Sequence, residues 1–139
     1  DHEVRGSCHF LQECGKNILI DCGMEQGNDV YENQELPVPA SDVDYVLLTH
    51  AHIDHSGLIP LLYVNGFRGK VYTTEPTVQL CEIMLKDSAH IQMFEAEWRN
   101  RKAKRSNGTL KEFVPLYDIE AAINVMKQFV GCAYEDIIQ

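Results

Sequence analysis

Three histidines and one aspartate stand within six residues, directly after the apolar run 46–49. They are His50, His52, Asp54 and His55. At the end of an extended strand, side chains two residues apart point the same way, so His50 and His52 can share one metal ion. Asp54 and His55 follow as the chain turns and can serve a second ion beside the first. The sequence therefore predicts these four residues as metal ligands.

The chemistry of the four side chains narrows the metals and the reaction. Neutral imidazole nitrogens and a carboxylate oxygen suit zinc, and they also suit iron or manganese. Two such ions about 3.5–4 Å apart form a typical hydrolytic site. A surface histidine cluster with incidental metal affinity is the alternative. The carboxylate inside the cluster and the strand, loop and helix around it favour a site.

Asp21 ends a second apolar run, residues 18–20, and is followed by Cys22 and Gly23. With Asp54, it is a candidate catalytic carboxylate, and it can accept a hydrogen bond that orients a ligand histidine. A simple turn or capping aspartate is the alternative. His9 in a predicted strand and His90 in a predicted helix are interpreted as structural histidines, although His90 could also face the metal pocket.

The apolar patterns predict alternating strands and helices, which is a mixed α/β order. A hairpin is expected around a turn at Gly15–Lys16, and Asn65–Gly66 should stop a short helix. A long acidic loop should span residues 23–42, where solvated charge is the favoured interpretation. The predicted strands are residues 6–13, 17–21, 43–49, 70–73 and a last one beginning at 132–134.

Three helices complete the predicted order. The first spans residues 56–64. The second is capped by Thr74 and carries Leu80, Ile83, Met84 and Asp87 at helical spacing, with helical character through Trp98. The third is capped by Asp118 and carries its apolar side chains at i, i+3, i+4 and i+7: Ala122, Val125, Met126 and Phe129.

Length and composition exclude several classes of protein. The chain has 139 residues, 45% of them apolar and 24% charged, with a net charge of −9, which is typical of a globular domain or part of one. It lacks the run of about 18 apolar residues that a transmembrane helix needs. Five cysteines without CxxC spacing argue against a disulfide framework and predict a reducing, cytoplasmic environment.

A basic segment, residues 99–105, contrasts with the acidic chain as a whole. Arg99, Arg101, Lys102, Lys104 and Arg105 can form a phosphate-binding patch. The favoured alternative is the solvated end of a helix, where positive charge is stabilised by the helix dipole.

Several stretches resemble a known family. His50-x-His52-x-Asp54-His55, between Leu47-Leu48-Thr49 and Ser56-Gly57, is similar to the signature of the metallo-β-lactamase superfamily. Further stretches resemble its RNA-processing branch, the β-CASP nucleases: Gly6-Ser7-Cys8-His9, Ile18 to Gly23, Gln26-Gly27, Asp87 to Gln92 and Pro115-Leu116-Tyr117.

This resemblance implies a fold, a cofactor and a substrate. The fold would be a four-layer αββα sandwich, of which the chain would supply the N-terminal half, leaving apolar sheet surface uncovered. Two zinc ions would be held by His50, His52, Asp54 and His55 together with ligands outside this chain, and Asp21 would match the superfamily's first motif. Single-stranded RNA would be the substrate, no membrane would be involved, and a homo-oligomer is left open.

Two other functions are compatible with the same residues. The first is a hydrolase of this superfamily acting on a thioester, lactam or phosphonate. The second is a scaffold subunit without catalysis, although an unbroken His-x-His-x-Asp-His motif counts against it. By itself, the isolated half is expected to be inactive.

Overall fold

A five-stranded sheet forms the centre of the computed structural model, which describes residues 8–23, 38–105 and 113–133. The strands pair in the order of the sequence, with β1 and β2 antiparallel and β2 to β5 parallel. The prediction of a mixed α/β fold is confirmed. The strands are β1 (His9–Glu13), β2 (Lys16–Ile20), β3 (Tyr45–Leu47), β4 (Lys70–Thr74) and β5 (Phe129–Cys132).

The β1–β2 hairpin has a two-residue turn that lies one position earlier than predicted. Glu13 pairs with Lys16, so the turn residues are Cys14 and Gly15, with φ of 51° and 75°. Two successive positive φ values define the turn type that matches the twist of the flanking strands. Lys16 therefore belongs to β2.

One face of the sheet is fully covered. A row of apolar side chains crosses all five strands at paired positions: Phe10, Leu19, Val46, Val71 and Phe129. The three central members are 0% exposed and belong to the main hydrophobic core. Helix side chains complete that core, so the helices pack on this face.

The opposite face of the sheet is also apolar, but it is only partly covered. Ile20, Leu47, Tyr72 and Val130 occupy paired positions on β2 to β5, and Leu47 is 40% exposed. Tyr45, two residues before Leu47 on the same face, has its ring 5.7 Å from that of Tyr72. Within the described ranges, this face therefore presents contiguous apolar surface to solvent.

In the described residues, four α-helices connect or flank the strands: α1 (Ile53–Ser56), α2 (Ile59–Val64), α3 (Glu75–Arg105) and α4 (Ile119–Val125). The predicted helix over residues 56–64 corresponds to α2, which begins three residues later than predicted and ends at Asn65 and Gly66 as expected, whereas α1 lies within the histidine motif. Helix α3 packs against β4, β5, α1 and α4, whereas α2 packs against α4.

Helix α3 buries a different face from the one that its apolar spacing indicated. Leu80 and Ile83 are 52% and 68% exposed. The buried residues are smaller and more polar, namely Cys81, Leu85, Ser88, Ala89, Gln92 and Ala96. Helix α3 continues past Trp98 to Arg105, so the basic segment forms its last turns, as the favoured interpretation of a helix end predicted.

The last helix and strand also differ from the prediction. Asp118 caps α4, because its Oδ1 accepts a hydrogen bond from the Ala121 amide at 2.8 Å. However, α4 ends at Val125, and a 3₁₀ turn over residues 126–128 leads to β5, which begins at Phe129. Phe129 is thus part of the sheet, and the strand expected at 132–134 begins three residues earlier.

Two other predicted segments lie partly outside the described residues. Residues 24–37, most of the predicted acidic loop, lie outside the described residues, as do residues 6 and 7 of the first predicted strand. In the part of the chain that is described, no helix combines the length and apolar character needed to cross a membrane.

Candidate metal centre

Asp21 is held rigidly at the end of β2. Its backbone is left-handed, with φ of 63°, a conformation that aspartate adopts more readily than most residues. The Asp21 amide donates to the Leu47 carbonyl at 2.7 Å, which ties it to the neighbouring strand. Its side chain is only 3% exposed. A carboxylate buried to this degree must be satisfied by hydrogen-bond donors.

Those donors come from the segment that carries the histidine motif. The Thr49 amide donates to Asp21 Oδ1 at 2.7 Å, and the Thr49 hydroxyl reaches Oδ2 at 2.7 Å. His55 Nδ1 lies 2.8 Å from the same Oδ2. Asp21 therefore contacts a predicted ligand histidine, as hypothesised from the sequence.

These contacts fix the tautomers of two histidines. A carboxylate only accepts hydrogen bonds, so His55 Nδ1 carries a proton, and in the neutral imidazole Nε2 keeps its lone pair. The single hydroxyl proton of Thr49 is donated to Asp21, which leaves Thr49 Oγ1 to accept from His50 Nδ1 at 3.0 Å. In a neutral His50 ring, the lone pair is then on Nε2 as well. Asp21 thus orients His55 directly and His50 through Thr49.

Main-chain hydrogen bonds hold the motif in its turn. The amides of His55 and Ser56 both donate to the His52 carbonyl at 2.9 Å. The Ser56 hydroxyl, fully buried, donates to the Ala51 carbonyl at 2.7 Å. The Cys22 amide donates to the His55 carbonyl at 2.7 Å. The turn is therefore fastened both to itself and to the end of β2.

The predicted ligands are close to one another and accessible. The His50 and His52 rings are nearly parallel, with centroids 6.4 Å apart and an angle of 7° between their planes. The His50 and His55 rings are closer, at 4.7 Å. His55 Nε2, the nitrogen left free by Asp21, lies 3.6 Å from Asp54 Oδ2. The structure thus brings all four predicted ligands to one end of the sheet.

A buried polar network contacts the segment that directly follows the histidine motif. The Tyr117 hydroxyl lies 2.7 Å from the Gly57 carbonyl, to which it donates, and 3.0 Å from Ser88 Oγ. Gln92 Nε2 donates to Ser88 at 3.1 Å, and Gln92 Oε1 accepts from the Leu116 amide at 2.9 Å. Burial raises the pKa of Tyr117 to about 12, even with the hydrogen bond to Ser88.

Thr49 and the residues of this network were not among the residues predicted from the sequence. Thr49 directly precedes His50, and its hydroxyl could have indicated a hydrogen-bond partner for the histidine motif. Ser88 and Gln92 stand four residues apart, so they share one helix face, and two polar side chains on a buried face need partners. The remaining histidines, His9 and His90, are exposed.

All five cysteines lie in described parts of the chain, and each is a free thiol. A hydrogen bond between Cys8 and Cys22 lowers the pKa of Cys8 and raises that of Cys22, and burial raises the Cys22 pKa further. Burial also raises the pKa of Cys81 to about 11, partly offset by a hydrogen bond with Ser56.

Comparison with known proteins identifies the family. The model of the metallo-beta-lactamase superfamily matches residues 3–72, which include Asp21 and the whole histidine motif. The chain belongs to the metallo-beta-lactamase superfamily.

Relatives in this superfamily carry names from RNA metabolism. Ribonuclease TTHA0252 of Thermus thermophilus is 47% identical over 90 residues, which are 64% of this chain and 21% of the relative. The probable RNase MJ4 of Methanocaldococcus jannaschii is 35% identical over 96% of this chain and 30% of its own length. Transcription termination factor FttA of Methanosarcina mazei is 37% identical over 82% of this chain and 18% of its own length. The chain therefore spans about a fifth to a third of these relatives.

Membership of the metallo-beta-lactamase superfamily implies bound metal ions, and the donor set fits them in part. The free Nε2 atoms of His50 and His55 and the Asp54 carboxylate are suitable ligands. However, among the described residues, no three histidine, cysteine, aspartate or glutamate side chains are grouped closely enough to hold an ion. The described residues supply ligands of the right chemistry but not a complete coordination shell.

Proposed function

We propose that this chain is the N-terminal half of the catalytic domain of a metal-dependent hydrolase that cleaves RNA, of the β-CASP branch. The observation that carries the proposal is the double role of Asp21, which fixes the tautomers of His55 and, through Thr49, of His50. A histidine cluster without function has no need of a buried carboxylate that leaves two Nε2 atoms free. The names of the relatives favour RNA over other substrates of the superfamily.

Two zinc ions are the proposed cofactor. His50 and His52 would hold one ion, and Asp54 and His55 the other, with further ligands from outside this chain. When bound, such ions lower the pKa of water and stabilise negative charge on the attacked phosphoryl group. The residues of this chain hold the imidazoles in the correct tautomer, and Asp21, as a buried positioning residue, keeps them from rotating.

The uncovered face of the sheet supports the assignment of half a domain. Ile20, Leu47, Tyr72 and Val130 form an apolar surface, which in a four-layer sandwich would pack on a second sheet. The relatives are about three to six times longer than the matched segment, which leaves ample chain for that sheet. Exposed apolar surface of this kind marks an interface.

The proposal also covers the location of the protein, the form of its substrate and its oligomeric state. Five free thiols favour a reducing, cytoplasmic location. Single-stranded RNA is the proposed substrate form, because the phosphodiester of an extended RNA chain can reach a turn at the end of the sheet. Either a monomer or a homo-oligomer is compatible with this site.

Cleavage by the intact protein tests the proposal. With zinc present, it should cleave single-stranded RNA, and His52→Ala should abolish cleavage because one predicted ligand is lost. His90→Ala is the matched control, since this histidine is exposed on α3 and should leave cleavage unchanged. Cleavage that persists in His52→Ala, or equal loss in both variants, would contradict the assignment.

A further inference from the structure

The last two turns of α3 present one compact exposed surface. Trp98, Arg101, Lys102 and Arg105 follow one another at i, i+3, i+4 and i+7, so they lie on the same side of the helix. All four side chains are exposed, and Trp98 is 56% exposed. These four residues are here called the Trp98 surface.

The charge of this region is opposite to that of the chain. Five of the twelve lysines and arginines lie within residues 99–105, whereas the net charge of the chain is −9. No acidic residue interrupts the segment. Glu97 stands one turn before Arg101, yet neither Arg101 nor Arg105 forms an ion pair with a carboxylate in the described ranges. Their charge is therefore available to an external anion.

The aromatic ring lies among these cations. Lys102 Nζ is 5.1 Å from the centre of the Trp98 ring. Trp98, Arg101, Lys102 and Arg105 line a cleft of about 390 Å³. Ligand pockets range from roughly 300 to 1,000 Å³, so this cleft can admit a planar ring beside Trp98.

We propose that the Trp98 surface binds single-stranded RNA, with a base stacked on Trp98 and phosphates beside Arg101 and Arg105. Aromatic stacking with adjacent cations is how proteins bind single strands without sequence preference. An acidic peptide would use the cations but would not need the planar ring. A duplex would offer its phosphates but not an open base face.

Helix α3 links this surface to the proposed active site. Cys81 contacts Ser56, the residue after the histidine motif, and Trp98 follows Cys81 by 17 residues on the same helix. At 1.5 Å per residue, that separation is about 25 Å along the axis. One nucleotide cannot touch both places, so a bound strand would run along α3. This inference rests on the proposed RNA substrate.

Binding is measured separately from cleavage, in the intact protein carrying His52→Ala, by fluorescence anisotropy of a labelled oligouridylate. Trp98→Ala should weaken binding about 5- to 150-fold, the range for loss of one stacked base. Arg101→Glu with Arg105→Glu should weaken it and lower the slope of log K against log salt by about 1.4, since two phosphate contacts are lost.

Matched variants separate these effects from net charge and from misfolding. Lys16→Glu with Lys127→Glu makes the same charge change at exposed positions outside the Trp98 surface and should retain the salt slope. Trp98→Phe keeps an aromatic ring and should retain most of the affinity. An Arg101/Arg105 variant that binds like the Lys16/Lys127 control overturns the proposal.

Two further outcomes are decisive. If Trp98→Ala weakens duplex and single-stranded RNA equally, stacking on an open base is refuted. If Trp98→Ala releases the protein from anionic phospholipid vesicles and leaves RNA binding intact, the surface is a membrane contact and the proposal is wrong. RNA binding through Trp98 without cleavage by the unaltered protein would contradict only the proposed hydrolase activity.

Discussion

Replacement of Thr49 by valine isolates the link between Asp21 and His50. Valine has nearly the shape of threonine but has no hydroxyl. The variant therefore removes the 2.7 Å bond to Asp21 Oδ2 and the 3.0 Å contact with His50 Nδ1. The Thr49 amide still donates to Asp21, and His55 keeps its 2.8 Å contact. Asp21 thus loses one of its donors, and His50 loses the contact that orients its ring.

The size of the effect follows from these contacts. Loss of a partner that orients a ligand histidine typically costs 10- to 100-fold in metal affinity, which is about 1.4–2.8 kcal/mol. The change in folding stability should be smaller, about 1 kcal/mol, because Thr49 is exposed and water can replace its hydroxyl as donor. Metal affinity should therefore change more than the free energy of unfolding.

The assay is a zinc titration of the metal-free intact protein in competition with a chromophoric chelator. Thr49→Ser is the matched control, because serine keeps the hydroxyl and should bind zinc as the unaltered protein does. ¹⁵N spectra of the histidines should show a protonated Nδ1 on His50 in the unaltered protein and a mixture of tautomers in Thr49→Val. Equal zinc affinity in the valine and serine variants would refute the orientation of His50 through Thr49.

Two other predictions concern stability. The pKa of Tyr117 is about 12 in the folded protein against an ordinary value of 10, so its contribution is complete below pH 10 and is lost as pH rises towards 12. The intact protein should lose about 2–3 kcal/mol more than Tyr117→Phe over this range in urea unfolding; parallel losses would contradict the burial of the hydroxyl. Asp118→Ala removes the cap of α4 and should cost about 1 kcal/mol by thermal unfolding. Glu120→Ala, a first-turn carboxylate without a capping bond, is its control, and equal costs would exclude the cap.

The elements that the sequence predicted well are those with local signals. The histidine motif, the hairpin and the cap at Asp118 each depend on residues within a few positions of one another, so short-range geometry decides them. The antiparallel pairing of β1 and β2 follows from a two-residue turn. Such features do not require knowledge of the rest of the fold.

The wrong or missing predictions concern features that depend on contacts between residues distant in the sequence. Helix α3 has apolar residues on more than one side, so periodicity could not show that Cys81 and Gln92 face inwards while Ile83 faces solvent. The small residues are buried because α3 lies close to α1 and the sheet, where larger side chains would not fit. The role of Thr49 was missed for a similar reason, since Asp21 is 28 residues away in sequence.

The order of the strands has a consequence for how this protein is made. Every strand of the described sheet pairs with the strand that immediately precedes it in the sequence. As the chain leaves the ribosome, each new strand therefore finds its neighbour already synthesised, and no gap has to be held open for a later segment. The contacts of Asp21 with Thr49 and His55 span at most 34 residues. The contacts of Asp21 with the histidine motif can thus form once β3 and α1 have emerged, well before α3 and the Trp98 surface exist.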